Sequence, residues 1–319
     1  MNYPRLWISL VNIAGLKDLS ACVLGVVLVA AFFLSTLLLI RVDSWADAIV
    51  WLIALLSPAV TLALERGNND VVVFIIAIVG LWLLRRSAAL QYLGALLLLF
   101  VSLLKLFPAI GMLPLVLSKR RASAIAAGAC LLVYFLVVLF SADDIRAIVE
   151  VVPRSIGTAY GGEVSVALAI AVPKLTTVGQ HLTPSTRLAG YLLSAGLVLS
   201  GFLLGNRIHR RIGGRGASKP LPLMFTYGTL IFVGTYFLGS NWDYRLIFLL
   251  LALPGVLQMG RATKENPTEV RYLSRASTIA ILVAFYAGGA FPRPHRIVPV
   301  LLGGLDLLAT PLLVAMPFG

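Results

Sequence analysis

The sequence has little charge and very little acid. Of its 319 residues 12% are charged, with 13 Asp and Glu against 26 Lys and Arg. A soluble domain carries roughly 25% charge. With 60% of the chain hydrophobic and a mean hydropathy of +0.97, a water-soluble fold is excluded. There are only two cysteines, Cys22 and Cys130, both inside apolar runs and neither in a CxxC pair. That excludes a disulfide scaffold, a zinc site and an iron–sulfur cluster. The three histidines, His181, His209 and His295, stand far apart without HExxH or HxH spacing, so nothing calls for a metal. The basic residues lie in short clusters between apolar runs, and the net +13 therefore reads as membrane topology rather than as a nucleic-acid surface. Met1 to Ser20 lacks the small-residue cleavage site of a secretory signal.

What the chain does have is apolar length, enough for about nine or ten membrane helices at about 20 residues each. Runs bounded by charge or proline predict helices near 21–40, 46–64, 71–84, 88–104, 106–118, 122–140, 187–205, 222–239, 246–259 and 277–291, with a last run over 297–316. The expected fold is an all-α polytopic integral membrane protein, one membrane domain over 1–319 with about ten or eleven transmembrane or re-entrant helices. The runs 71–84, 106–118 and 246–259 fall short of the roughly 17–25 residues of an upright span, which predicts broken or re-entrant segments around a cavity.

Lys and Arg set the sidedness, because cytoplasmic loops retain them. The basic clusters are Arg85 and Arg86; Lys119, Arg120 and Arg121; Arg207 to Lys219; and Arg261 to Arg275, and all four belong inside. Residues 88–118 must then go out and return, turning near Lys105 and Pro108. The count places Glu65 to Asp70, the segment 141–186, Ser240 to Arg245 and Pro292 to Arg296 outside, and makes 206–221 a basic cytoplasmic loop. It also leaves the N-terminus outside. The polar motifs thus gather on one face. The loop Ile212 to Lys219 is not a P-loop, since no strand precedes it and its lysine is misplaced.

Several polar groups need an explanation. Glu65-Arg66-Gly67-Asn68-Asn69-Asp70 interrupts two apolar runs. It is either a solvated turn, with Gly67 at positive φ and an Asn or Asp capping the next helix, or a site where Glu65 or Asp70 acts as a base while Arg66 faces an anion. Lys105 places a cation at the tip of an apolar hairpin, where it either snorkels to the interface or meets an anion, with a phosphate the expected partner. Asn241-Trp242-Asp243-Tyr244-Arg245 offers interfacial aromatics and charges that either neutralise each other or hold a ligand, Arg245 taking a phosphate and the rings a sugar or isoprenoid edge. Arg293, His295 and Arg296 form an exterior cationic group, fit for a ligand or an anionic headgroup. Asp306 is the carboxylate deep in the last run, while Asp143 and Asp144 read as caps, and Gly201 with Gly205 as a close helix contact.

Ser57-Pro58 leading to Glu65–Asp70, then Leu103-Leu104-Lys105-Leu106-Phe107-Pro108, then Ser240 to Arg245, resembles polytopic glycosyltransferases of the GT-C class. Within that class the chain is similar to family 87, which includes bacterial polyprenol-phosphate-mannose-dependent mannosyltransferases; the likeness covers roughly residues 50 to 260. The resemblance implies an enzyme of the bacterial cytoplasmic membrane with an exoplasmic site. It would move a hexose from a polyprenyl-phosphate donor, a substrate rather than a cofactor, to a lipid or glycan acceptor with inversion. Glu65 and Asp70 are the nearest acids for catalysis, and Arg66, Lys105 and Arg245 the nearest cations for the phosphate. Asn68, Asn69, Asn241, Trp242, Asp243, Tyr244, Arg293, His295 and Arg296 complete the expected substrate contacts. The chain departs from the family pattern before Tyr3, where an initial membrane helix and an acidic exoplasmic loop are expected; an exterior N-terminus is what removal of that helix leaves. Two other readings stand beside this one: a transporter or flippase for an anionic lipid or solute, and a noncatalytic membrane subunit.

Overall fold

The computed structural model describes residues 12, 15, 20–118, 120–143, 145–146, 159–171, 174, 176, 178–212, 223–237, 241–261 and 268–287, the side chains of 168, 204–212 and 269 excepted. Arg293, His295, Arg296, Asp306, Lys119, Asp144 and the run 297–316 lie outside the described residues, as does most of the basic loop 206–221. The described helices are α1 (Ala21–Thr36), α2 (Trp45–Leu55), α3 (Pro58–Glu65), α4 (Asn69–Leu83), α5 (Ala88–Leu104), α6 (Leu113–Val116), α7 (Arg121–Phe140), α8 (Gly162–Ala171), α9 (Pro184–Ile212), α10 (Leu223–Phe237), α11 (Leu249–Gly260) and α12 (Thr268–Ala287). Two short strands, β1 (Ala159–Tyr160) and β2 (Asn241–Trp242), form an antiparallel pair beside the described helices, with Tyr160 opposite Asn241.

The helix ends follow from their sequence. Ser20, Ser44 and Asn68 each accept a backbone N–H of the first turn beyond them, from Val23, Asp47 and Asp70. The run expected as one helix over 46–64 is divided. Pro58 has no N–H to donate and disfavours a helical residue before it, so the chain bends by 45° between α2 and α3. In the run 106–118, Pro108 and Pro114 confine the chain to a 3-10 turn, Phe107–Met112, followed by the single turn of α6. The run 246–259 is longer than its sequence outline, because a 3-10 turn at Asp243–Phe248 leads directly into α11. The segment 141–186, expected as an exterior stretch, carries α8.

Among the described residues three helical stretches can cross a membrane by length and composition, Arg121–Phe140, Pro184–Leu203 and Asp243–Gly260, or four if α2 and α3 form one bent span. The other apolar helices, among them α1, α4, α5 and α10, are shorter. Leu132, Phe135 and Leu139 on α7 and Leu192, Leu199 and Phe202 on α9 are exposed. Apolar side chains turned outward along a whole helix are at home in lipid and not in water.

The chain divides into two compact units, Met1–Leu39 with Ala63–Pro153, and Ile40–Leu62 with Arg154–Gly319. In the first, α4 and α5 form an antiparallel hairpin. Gly80 and Gly94 let the two backbones touch: a Cβ on Gly94 would lie 2.6 Å from the Gly80 carbonyl oxygen. The hairpin has two chemically distinct ends, about 22 Å apart by the rise of the 15 residues of α4. At one end the Arg120 guanidinium donates to the Leu84 carbonyl at 3.2 Å, Gln91 donates to the Arg86 carbonyl at 2.9 Å, and the Ser123 hydroxyl donates to Gln91 Oε1 at 2.9 Å. At the other end stand Asp70 and Lys105, with the Tyr134 hydroxyl donating to the Leu106 carbonyl at 2.9 Å. The basic clusters around Arg86 and Arg120 therefore share one end of the hairpin.

In the second unit α10, α11 and α12 pack together around Phe225, Phe232, Phe248, Ile281 and Phe285, all buried. One end of α11 carries Arg261, whose guanidinium pairs with Asp43 and, at 3.1 Å, with Asp47 on the first turn of α2. The two-strand pair lies toward the other end, beyond Phe237 and ahead of Leu249.

Candidate active site

Glu65 and Arg66 are exposed at the end of α3, Gly67 has φ +53°, and Asn68 caps α4 through its side chain at 2.9 Å. Gly67 and Asn68 thus make the turn and the cap that one of the two sequence readings describes, and only glycine adopts such a φ without steric cost. Asn69 is half-buried, with its Oδ1 enclosed and without a hydrogen-bond partner among the described residues. Asp70 differs in kind. It is 0% exposed, and its Oδ1 lies 2.9 Å from Lys105 Nζ, itself only 8% exposed.

Lys105 is held there by backbone geometry. α5 stops at Leu104, and Lys105 is extended at φ −142°, ψ 126°, with its Nζ at Asp70. Burial rules out snorkelling, the first of its two sequence readings. An anion it meets is the Asp70 carboxylate of this chain. A buried ammonium and carboxylate at this distance stabilise each other, and removing one leaves the other as an uncompensated charge.

In the second unit Asn241, Asp243 and Tyr244 are buried, while Trp242 and Arg245 are partly exposed. The Trp242 and Tyr244 rings stack on one another, 6.1 Å between centroids and 8° between planes. Arg245 donates to Asn241 Oδ1, and Asn241 Nδ2 donates to the Thr235 carbonyl. Asp243 Oδ2 is buried without a hydrogen-bond partner among the described residues. The strand pair joins this segment to Tyr160, whose hydroxyl is 2.8 Å from Thr235 Oγ1, and Ser165 Oγ lies 2.9 Å from the Tyr236 hydroxyl.

Near Tyr160 and Ser165 in the chain lies a buried acid that the sequence reading passed over. Glu163, on the first turn of α8, is 4% exposed; its Oε2 is 3.7 Å from Arg187 Nε, and its Oε1 is buried without a hydrogen-bond partner among the described residues. The signal for it was present: Glu163 is the lone acid across residues 151–186, and it follows Gly161-Gly162 at the start of an apolar helix. Those glycines matter, because a Cβ on Gly162 would lie 2.4 Å from the Gly190 carbonyl and one on Gly190 2.4 Å from the Glu163 nitrogen.

The structure thus brings Asp70, Lys105 and the Asn68 cap together in one unit, and Asn241, Arg245 and the stacked Trp242 and Tyr244 in the other. Among the described residues no group of three or more His, Cys, Asp or Glu can hold a metal ion. What these clusters offer chemically is cations for an anionic leaving group and buried carboxylates for a proton. No curated protein and no solved structure matches the chain. The model of glycosyltransferase family 87 matches residues 8–240, a stretch that takes in Glu65 to Asp70, Lys105, Glu163 and Arg187. The chain belongs to glycosyltransferase family 87, and it is an integral membrane glycosyltransferase.

Proposed function

We propose that this enzyme moves a mannose-like hexose from a polyprenyl-phosphate donor to a lipid or glycan acceptor at the exoplasmic face of a bacterial cytoplasmic membrane. The observation that carries the reading is the buried Lys105, a cation kept out of water at the tip of an apolar hairpin and aligned by Asp70 at 2.9 Å. Transfer of a sugar from a phosphate places new negative charge on the leaving oxygen, and a preorganised ammonium in a water-poor site stabilises it more than water does. An ammonium has three N–H donors, so one lysine serves a carboxylate and a phosphate oxygen together.

In this reading Asp70 positions Lys105, Arg66 and Arg245 attract the anionic donor, and Asn68, Asn69, Asn241, Trp242, Asp243 and Tyr244 meet the sugar or the isoprenoid edge. Arg293, His295 and Arg296 are proposed as further phosphate or headgroup contacts. Exoplasmic placement draws its support from charge: in the first unit, Arg85, Arg86 and Arg120 stand at the hairpin end opposite Lys105, where positive-inside bias puts the cytoplasm. No bound cofactor enters the scheme, because the activating phosphate arrives with the substrate.

The test uses membrane vesicles of known orientation containing the protein, supplied with radiolabelled polyprenyl-phosphate mannose or with nucleotide mannose. Label passing into an organic-soluble or polymeric product from the lipid donor is the expected result. Use of the nucleotide sugar alone overturns the donor assignment, and transfer confined to the cytoplasmic side overturns the exoplasmic one.

A further inference from the structure

We propose that Glu163 is the general base of the transfer, taking the acceptor hydroxyl proton on Oε1; this deepens the proposed function and rests on its reading of the reaction as transfer to a hydroxyl. The acids nearest to hand in the sequence are poorly suited to the task. Glu65 stands exposed on a turn, and Asp70 is bound to Lys105. Glu163 is different on three counts. It is 4% exposed; Arg187 meets only one of its oxygens, at 3.7 Å; and the other is enclosed without a hydrogen-bond partner among the described residues. A buried carboxylate oxygen with no donor is costly, so a fold that retains one at a fixed place has left room for a donor that arrives with a ligand.

The position is built rather than incidental. Gly162 and Gly190 bring the backbones of α8 and α9 into contact, which seats the Glu163 main chain directly against α9. Arg187 lies on the same face of α9, three residues before Gly190, and its side chain is 38% exposed. At 3.7 Å the ion pair is longer than the 2.7–2.9 Å typical of a charge-assisted hydrogen bond, so the guanidinium is a loosely seated, partly exposed cover over the carboxylate. Rotation of Arg187 uncovers Glu163 for a hydroxyl.

The step balances without any further reactant. The acceptor O–H bond breaks and its proton passes to Oε1. The oxygen's electron pair forms the new bond to the anomeric carbon as the bond from that carbon to the phosphate oxygen breaks, and the pair leaves on the phosphate. The ligand class at Glu163 is therefore an alcohol, a sugar hydroxyl above all.

The experiment compares the wild-type enzyme with Glu163→Gln and Glu163→Asp in reconstituted membranes, using a donor panel of polyprenyl-phosphate hexoses and nucleotide hexoses. Each donor is assayed with its hydroxyl acceptor and with sodium azide, whose anion attacks without surrendering a proton. Glu163→Gln is expected to lose about 100-fold or more in kcat with KM for the donor and thermal stability unchanged. Formation of the glycosyl azide is expected at the wild-type rate. Wild-type kcat in Glu163→Gln overturns the proposal, and so does a loss that azide fails to bypass, which marks a structural role. Should Glu163→Gln not fold, Glu163→Asp decides: a lowered kcat bypassed by azide supports the base, whereas wild-type kcat overturns it. A wild-type enzyme that accepts only nucleotide hexoses overturns the donor reading alone, and Glu163 is then judged on that donor.

Discussion

Lys105 Nζ and Asp70 Oδ1, 2.9 Å apart and both out of water, tie the end of α5 to the first turn of α4. In the single variants Lys105→Met and Asp70→Leu the surviving charge is left buried, and each is expected to lose about 3–5 kcal/mol of stability. The double variant is expected to unfold nearer the wild-type temperature, because neither charge remains. Transfer activity should stay absent in all three. Thermal unfolding in detergent and donor turnover check this, and normal turnover in the refolded double variant removes Lys105 from the phosphate.

Asn68→Ala removes the side-chain acceptor of the Asp70 N–H and should cost about 1 kcal/mol, read from the unfolding midpoint. Glu65→Gln, a change on an exposed turn, is expected to leave both stability and turnover within about three-fold of wild type, in keeping with surface substitutions. A fall of about 100-fold in Glu65→Gln, the scale of a lost general base, would instead put the base on this turn.

Gly94→Ala places a methyl 2.6 Å from the Gly80 carbonyl, where backbone rather than a flexible side chain must give way. We expect about 1–3 kcal/mol of destabilisation. A shift of α5 along α4 also disturbs the Lys105 position, so turnover should fall with stability. An unchanged unfolding temperature shows that the hairpin does not pack as described.

Sidedness is checked with single cysteines at exposed Arg66 and Arg86, in a chain whose Cys22 and Cys130 are replaced by alanine. An impermeant maleimide added outside sealed cells is expected to label position 66, and position 86 only after the membrane is opened. The reverse pattern inverts the protein in the membrane.

Hydropathy and charge made the helical class readable, because an apolar run bounded by arginines is a property of composition and needs no partner. The boundaries of α5 at Ala88–Leu104 agree with the expected 88–104 for that reason. The break before Pro58 was legible in the proline itself, yet the apolar run passed over it. Asp70 and Lys105 were each visible as oddities, but their pairing spans 35 positions and depends on how two helices meet, which no local pattern encodes. Glu163 escaped because a lone acid at the start of a helix is ordinary; its unusual state arises from Gly190 and Arg187 on another helix.

The contact between Arg261 and Asp47 joins residues 214 positions apart, within a unit whose first piece, Ile40–Leu62, is separated in sequence from the rest. During synthesis at about 5–20 residues per second, Asp47 waits roughly 10–40 s for its arginine. Throughout that interval the Asp47 carboxylate on α2 is without the guanidinium it later meets. The ion pair that ties α2 to the end of α11 therefore forms only once residue 261 has been made.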